Sequence, residues 1–111
     1  MPELAPRDAE PVLPAGPGPD KFIDSDLDNI LKSRGVKTLI VVGTQAQTAV
    51  LHTGAGAAFR GYRVVVPIDG MSSDTAFPEL YTAWHLATTS RIGEFVTLTA
   101  TEMIEFTGSG R

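Results

Sequence analysis

Residues 41–53 read VVGTQAQTAVLHT, an apolar run, a glycine, and then small and polar residues leading into a helix. A strand-to-helix turn of this kind points the first N–H groups of the helix outward. There they can hold a carbonyl oxygen or stabilise an oxyanion whatever the side chains are. The candidate cradle is Thr44, Gln45, Ala46, Gln47, Thr48 and Ala49. It contains no serine and no carboxylate. The whole chain has no cysteine, which removes thiol nucleophiles, thiolate zinc sites and disulfides together.

Two other constellations are weaker. The stretch Gly54-Ala-Gly-Ala-Ala-Phe59, followed by Asp69, has the outline of a dinucleotide-binding fingerprint. A phosphate-cradling glycine turn must lie between a strand and a helix N-terminus. These glycines come some eleven residues after Gly43, in mid-helix, and the third position is Phe59. Close helix-to-sheet packing is the better reading, and no cofactor is expected. His52 and His85 each stand without a carboxylate, serine or second ligand at metal spacing, so no metal site is expected. His85, next to Trp84, reads as a structural or interface residue.

The elements that must position the turn follow from periodicity. Residues 1–20 hold six of the eight prolines and form an extended lead-in, in which Val12 and Leu13 make at most a short edge strand. Ser25 and Asp28 have capping-box spacing, Leu27, Ile30 and Leu31 fall at helical spacing, and Gly35 is a stop. A helix over 25–34 is expected. Residues 38–42 are β-branched or apolar throughout and 63–67 are a similar run opened by Arg63, the pattern of strands buried on both faces of a parallel sheet. With a helix over 46–60 between them they make a right-handed βαβ unit. Asp69-Gly70 marks a turn. Phe77, Leu80, Tyr81 and Trp84 place an aromatic stripe on the inward face of a helix over 74–87. A third strand covers 95–99, and a short helix or turn covers 101–106.

The expected fold is thus α/β, a three-layer parallel sheet with flanking helices and Rossmann-like topology. Residues 1–20 are the lead-in, 21–106 the domain and 107–111 a tail. Three consecutive strands wound one way contain no switch point, so the other half of a doubly wound sheet has no counterpart. A net charge of −4 gives no broad attraction for nucleic acid or an anionic membrane. No apolar stretch approaches the roughly 18 to 20 residues that span a bilayer, and no basic segment precedes an apolar run at the N-terminus. A cytoplasmic protein is expected.

Several segments occur in an order and spacing that resemble the C-terminal part of the isochorismatase-like hydrolase superfamily. They are Asp24-Ser-Asp-Leu-Asp-Asn-Ile-Leu31, Thr38-Leu-Ile-Val-Val-Gly43, Thr44-Gln-Ala-Gln-Thr-Ala-Val50, Arg60-Gly-Tyr62 and Asp69-Gly-Met-Ser72. The resemblance covers residues 22–104. It includes nicotinamidases, N-carbamoyl amidohydrolases and isochorismatases. It implies an Asp on a first strand, a Lys before the first of the helices seen here, and a nucleophilic Cys at the start of the helix after the glycine turn. It also implies a non-proline cis peptide, which by spacing would lie at Gln45-Ala46, with the nucleophile position at Ala49.

This sequence departs from that pattern. Ala49 cannot attack. Lys21 is the lysine near the family position, but it abuts Phe22, whereas the family Lys stands several residues earlier. No acidic residue near the N-terminus follows a strand-like run, and Asp8 is a poor substitute for the family Asp. The expectation is a truncated or divergent member with weak or no hydrolase activity, its exposed sheet edge covered by homo-oligomerisation. Isochorismatases proper also lack the Cys and cleave a vinyl ether with Asp and Lys. The resemblance therefore leaves open a Cys-independent hydrolase of an isochorismate-like vinyl ether or small amide, and also a small-molecule binding module.

Overall fold

The computed structural model describes residues 9–13 and 18–105. The expected tail at 107–111, Phe106, Asp8 and most of the lead-in lie outside the described residues. Residues 11–13 have no regular structure and Val12 is exposed, so the short edge strand is not formed.

The first helix, α1, runs from Leu27 to Ser33. The capping box is not formed. Ser25 Oγ accepts from the N–H of Leu27 at 3.3 Å, while Asp28 turns away to bond Lys32 and Tyr62. The stop is as expected. Gly35 has φ +70°, its N–H donates to Lys32 O and that of Val36 to Leu31 O, which is the paired closure of a helix C-terminus on a left-handed residue.

Three parallel strands follow, β1 (Thr38–Ile40), β3 (Arg63–Pro67) and β5 (Val96–Thr99), in the order β1-β3-β5. Leu39 pairs with Val64, and Val64 with Val96. Between β1 and β3 the chain passes through a two-residue strand β2 (Gly43–Thr44), a π-helical turn (Ala46–Val50) and helix α2 (Leu51–Phe59). Between β3 and β5 it passes through a 3₁₀ turn (Ile68–Gly70), strand β4 (Met71–Ser72) and helix α3 (Ala76–Thr88). A last 3₁₀ turn covers Thr101–Met103. β2 and β4 pair in parallel as a separate small sheet.

Side chains alternate across a strand. Leu39, Val64, Val66, Val96 and Leu98 share the face that α2 and α3 cover, and Val64, Val66 and Leu86 are fully buried there. Burying an aliphatic side chain of this size contributes about 1.5–3 kcal/mol. The opposite face carries Thr38, Ile40 and Thr97, all exposed. The run at 38–42 is therefore not buried on both sides as its composition suggests. Among the described residues β1 is an edge strand, and only its alternate residues meet the core.

Gly54 lies where a Cβ would meet both Leu86 Cδ atoms at 3.6 Å and Val64 Cγ1 at 4.0 Å, ordinary contact distances, so α2 packs there without requiring a glycine. Gly56 faces elsewhere. A Cβ there would fall 2.5 Å from Asp20 Oδ2, because residues 18–22 cross over α2. Phe22 anchors that crossing, buried and stacked on Tyr62 at 5.8 Å.

The aromatic stripe of α3 is the largest correction. Phe77, Leu80 and Trp84 are 71%, 68% and 61% exposed, whereas Thr82 and Leu86 are fully buried. The helix has two candidate apolar faces. The one made of Thr82, Ala83 and Leu86 packs inward because its small residues let α3 approach the π turn and α2, whose contact surface is itself Ala and Gly. The rings pack along their own helix, Phe77 on Tyr81 at 6.1 Å and Tyr81 on Trp84 at 6.0 Å.

Candidate functional site

β1 runs toward Gly43, where φ +139° lets the backbone bend out of the main sheet into β2. Pairing of Gly43 with Met71 and of Thr44 with Ser72 brings the segments GT and DGMS side by side at the end of the sheet. The cis peptide lies at Thr44-Gln45, one bond earlier than the expected Gln45-Ala46.

Beyond it, the turn closes tightly on one carbonyl. Gln45 O accepts the N–H of Thr48 at 3.2 Å and of Val50 at 3.3 Å, and the second of these bonds gives the π-helical width. The N–H of Thr48 is thus already used. The donors that open the turn, Ala46 and Gln47, have no intrahelical carbonyl by helix geometry, and the N–H of Ala49 takes part in neither of these two bonds. The cradle is narrower than the six residues suggest.

Side chains trim it further. Ala46 is fully buried beneath the turn, Ala49 is half-buried, and Thr44, Gln45 and Thr48 are exposed. Gln47 Nε2 donates to Gln45 Oε1 at 3.4 Å, while Gln47 Oε1 is buried with no hydrogen-bond partner among the described residues. His52 sits one turn on, its Nδ1 2.8 Å from Thr48 O. His85 meets Tyr81 OH at 3.4 Å and is remote from His52 in sequence and element. Among the described residues, no three His, Asp or Glu side chains are grouped to hold a metal.

Lys21 is brought to α2, the helix that continues from the turn. Its N–H donates to Thr53 Oγ1 at 3.1 Å, and Thr53 is one helical turn beyond Ala49. Its side chain, however, is exposed, and Nζ donates to Gly18 O at 3.2 Å.

Two arrangements escaped the sequence reading. Asp69 takes the N–H of Thr101 at 2.8 Å and its hydroxyl at 2.7 Å, tying the ends of β3 and β5 together. These bonds, the side-chain one first, hold its carboxyl below the usual range. Glu79 Oε2 accepts from Ser73 N at 3.1 Å and from Ser73 Oγ at 3.3 Å, fixing the approach to α3. Neither has a sequence signal, since each links residues through tertiary or turn geometry.

This geometry can be set beside known proteins. The isochorismatase domain family matches residues 1–102. The chain belongs to that family. It is 35% identical over 69 residues to the secreted isochorismatase effector Isc1 of Verticillium dahliae, a match covering 62% of this chain and 36% of that protein. Among solved structures it is similar to an isochorismatase-like hydrolase from Alkaliphilus metalliredigens, at 25% identity and TM-score 0.80, over 92% of this chain and 52% of that one. It is also similar to the N-carbamoylsarcosine amidase of Thermoplasma acidophilum, at 26% identity and TM-score 0.78, over 95% of this chain and 56% of that one. The chain spans about half the length of these structures. It is an isochorismatase-family domain with no cysteine. Among the described residues, no helix is long and apolar enough to cross a membrane.

Proposed function

We propose that this isochorismatase-family chain is a divergent member with weak or no hydrolase activity, whose turn at 44–49 holds a small molecule without a covalent step. The supporting observation is a cysteine-free chain with Ala49 on the first turn after the glycine bend, the position that spacing from Gly43 gives the family's thiol. Covalent catalysis needs a nucleophile, and proton transfer by a positioned acid or base is worth about 10²- to 10⁴-fold in rate. Lys21 Nζ, turned to Gly18 O, does not supply one in this arrangement. The chain is read as acting in the cytoplasm, with its open β1 edge covered by a second copy; the position of β1 at the sheet edge supports the second point.

The test is turnover of isochorismate, nicotinamide and N-carbamoylsarcosine by the 111-residue chain, with thermal shift measured on the same samples. A ligand-induced rise in melting temperature without turnover is the expected result. Efficient hydrolysis of any of the three defeats the reading. Ala49→Cys is a second probe. A thiol held at the N–H groups of this turn reacts with iodoacetamide faster than free cysteine at neutral pH, because its pKa is depressed.

The relative named as an isochorismatase effector favours a second reading, a Cys-independent cleavage of a vinyl ether using Lys21 and the backbone of 44–49. Turnover of isochorismate abolished by Lys21→Ala selects it, and turnover that survives the substitution removes Lys21 from the site.

A further inference from the structure

The backbone bonds of β1 show which of its residues face the rest of the sheet. Lys37 O accepts from Arg63 N at 2.9 Å and Val41 N donates to Val65 O at 3.0 Å, so both residues turn toward β3. Leu39, two residues from each, turns the same way, because the direction of the N–H and C=O groups alternates along a strand. Those of Thr38, Ile40 and Val42 therefore point away from the sheet, where no strand lies among the described residues. β3 obeys the same alternation, with Val64 N donating to Phe95 O at 2.8 Å on its other side.

The side chains of these three residues lie on the face of the sheet opposite α2 and α3. Thr38 is exposed, and Ile40 and Val42 are 38% and 56% exposed. Edge strands are ordinarily blunted by a charge, a proline or a bulge. Residues 38–42 contain no charge and no proline, and the register from Thr38↔Arg63 to Ile40↔Val65 is unbroken. The lead-in does not suit this edge. Residues 1–19 contain no proline-free run longer than four, and proline lacks the N–H that a ladder needs.

A second copy suits it in one arrangement. Antiparallel pairing about a two-fold axis at Ile40 sets Ile40 against its own counterpart, Thr38 against Val42, Leu39 against Val41 and Lys37 against Gly43. No like charges meet, and the facing residues at 38, 40 and 42 are β-branched, which favours cross-strand packing. Each of these facing pairs exchanges both N–H···O bonds, so the groups left open along the edge are satisfied together. Beyond Gly43 the chain bends into β2, which sets the length of the match.

We infer that β1 pairs antiparallel with β1 of a second copy about a two-fold axis at Ile40, joining the two main sheets into one. The inference rests on the reading that a second copy covers this edge, and adds the direction and register of the contact.

The chain has no cysteine, so a single introduced thiol reports the register. Facing residues of a hydrogen-bonded antiparallel pair have Cα atoms about 5.5 Å apart, within the roughly 4.4–6.8 Å that a disulfide spans. Sedimentation of the 111-residue chain is expected to show a dimer that dissociates on dilution. In a glutathione redox buffer Ile40→Cys should link to itself, and Thr38→Cys should link to Val42→Cys in a mixture, while Thr38→Cys alone stays unlinked. Ile40→Lys sets like charges face to face across the axis and should abolish the dimer. Thr38→Pro removes a donor that β3 does not use, and is the second variant if the first does not fold. A dimer lost in Ile40→Lys but never linked through Ile40→Cys overturns the register and leaves a second copy on β1. A chain that is monomeric at every concentration, or a dimer indifferent to both variants, overturns the inference and that reading together.

Discussion

Tyr62 donates its hydroxyl hydrogen to Asp28 Oδ1 at 2.5 Å, across a sequence separation of 34 residues, and so joins the start of β3 to the exposed face of α1. The bond works on both partners. It is the first cause, ahead of Lys32, of an Asp28 carboxyl held below its usual range. Burial, and then this bond, push the Tyr62 hydroxyl above its usual range.

Stability at the acid side should fall as pH drops from the ordinary carboxylate range through the depressed value of Asp28, because the folded state then has to take up a proton that the unfolded state already holds. At the alkaline side the tyrosine contributes fully below its unfolded value and is lost as pH rises through the raised folded value. Tyr62→Phe should leave α1 less firmly docked and flatten both limbs. Chemical denaturation across pH checks this, and a variant with the limbs of the parent would refute it.

The clamp of Asp69 on Thr101 makes a related prediction with one limb. Its carboxyl is depressed by the Thr101 hydroxyl first and the Thr101 N–H second, so its contribution is present above the unfolded value and disappears as pH falls through the folded one. Asp69→Asn should be less stable than the parent at neutral pH and converge with it in acid. A constant gap down to strongly acidic pH would show that the charge is not what the clamp uses.

Thr82 is fully buried on the inward face of α3, and its hydroxyl has no hydrogen-bond partner among the described residues. An orphaned buried hydroxyl costs about 1–3 kcal/mol. Thr82→Val keeps the shape and removes that cost, so it should raise the melting temperature, by an amount reduced slightly by packing adjustment. A lower melting temperature would mean that the hydroxyl has a partner in solution.

Trp84 is the single tryptophan and is 61% exposed on a helix face of exposed rings. Its fluorescence in dilute solution should be that of a solvated indole, readily quenched by acrylamide. Trp84→Gln should change stability by less than about 0.5 kcal/mol. A blue-shifted emission that reddens on dilution would show this face covered by another copy.

The features legible in the sequence were those decided locally. Gly35 ends α1 because it takes the left-handed φ that closes the helix, and the valines of β3 form a strand because their pattern and Gly61 leave little else. The turn at Gly43 and the segment at 69–72 could be matched by spacing alone, and the structure joins them as β2 and β4. Features decided by competition were not legible. Hydrophobic weight favoured Phe77 and Trp84 as the buried face of α3, but close approach to a helix of small residues favoured Thr82 and Ala83. Ser25 and Asp28 had capping spacing, yet Tyr62, distant in sequence, took the carboxylate.

Gly54 and Gly56 are two residues apart, about 200° around the helix, so α2 lacks side chains on two nearly opposite sides. One side lies against Leu86 and Val64, the other beneath Asp20. A side chain at Gly56 must displace the Asp20 carboxylate, whereas a methyl group at Gly54 would meet Leu86 and Val64 at ordinary contact distance. The π-helical turn before α2 and the first turn of α2 itself carry no such restriction at the exposed Thr48 and His52. Steric room for new side chains therefore lies at the end of the segment that faces the turn, while Gly56 keeps the strap at Asp20 seated on the helix.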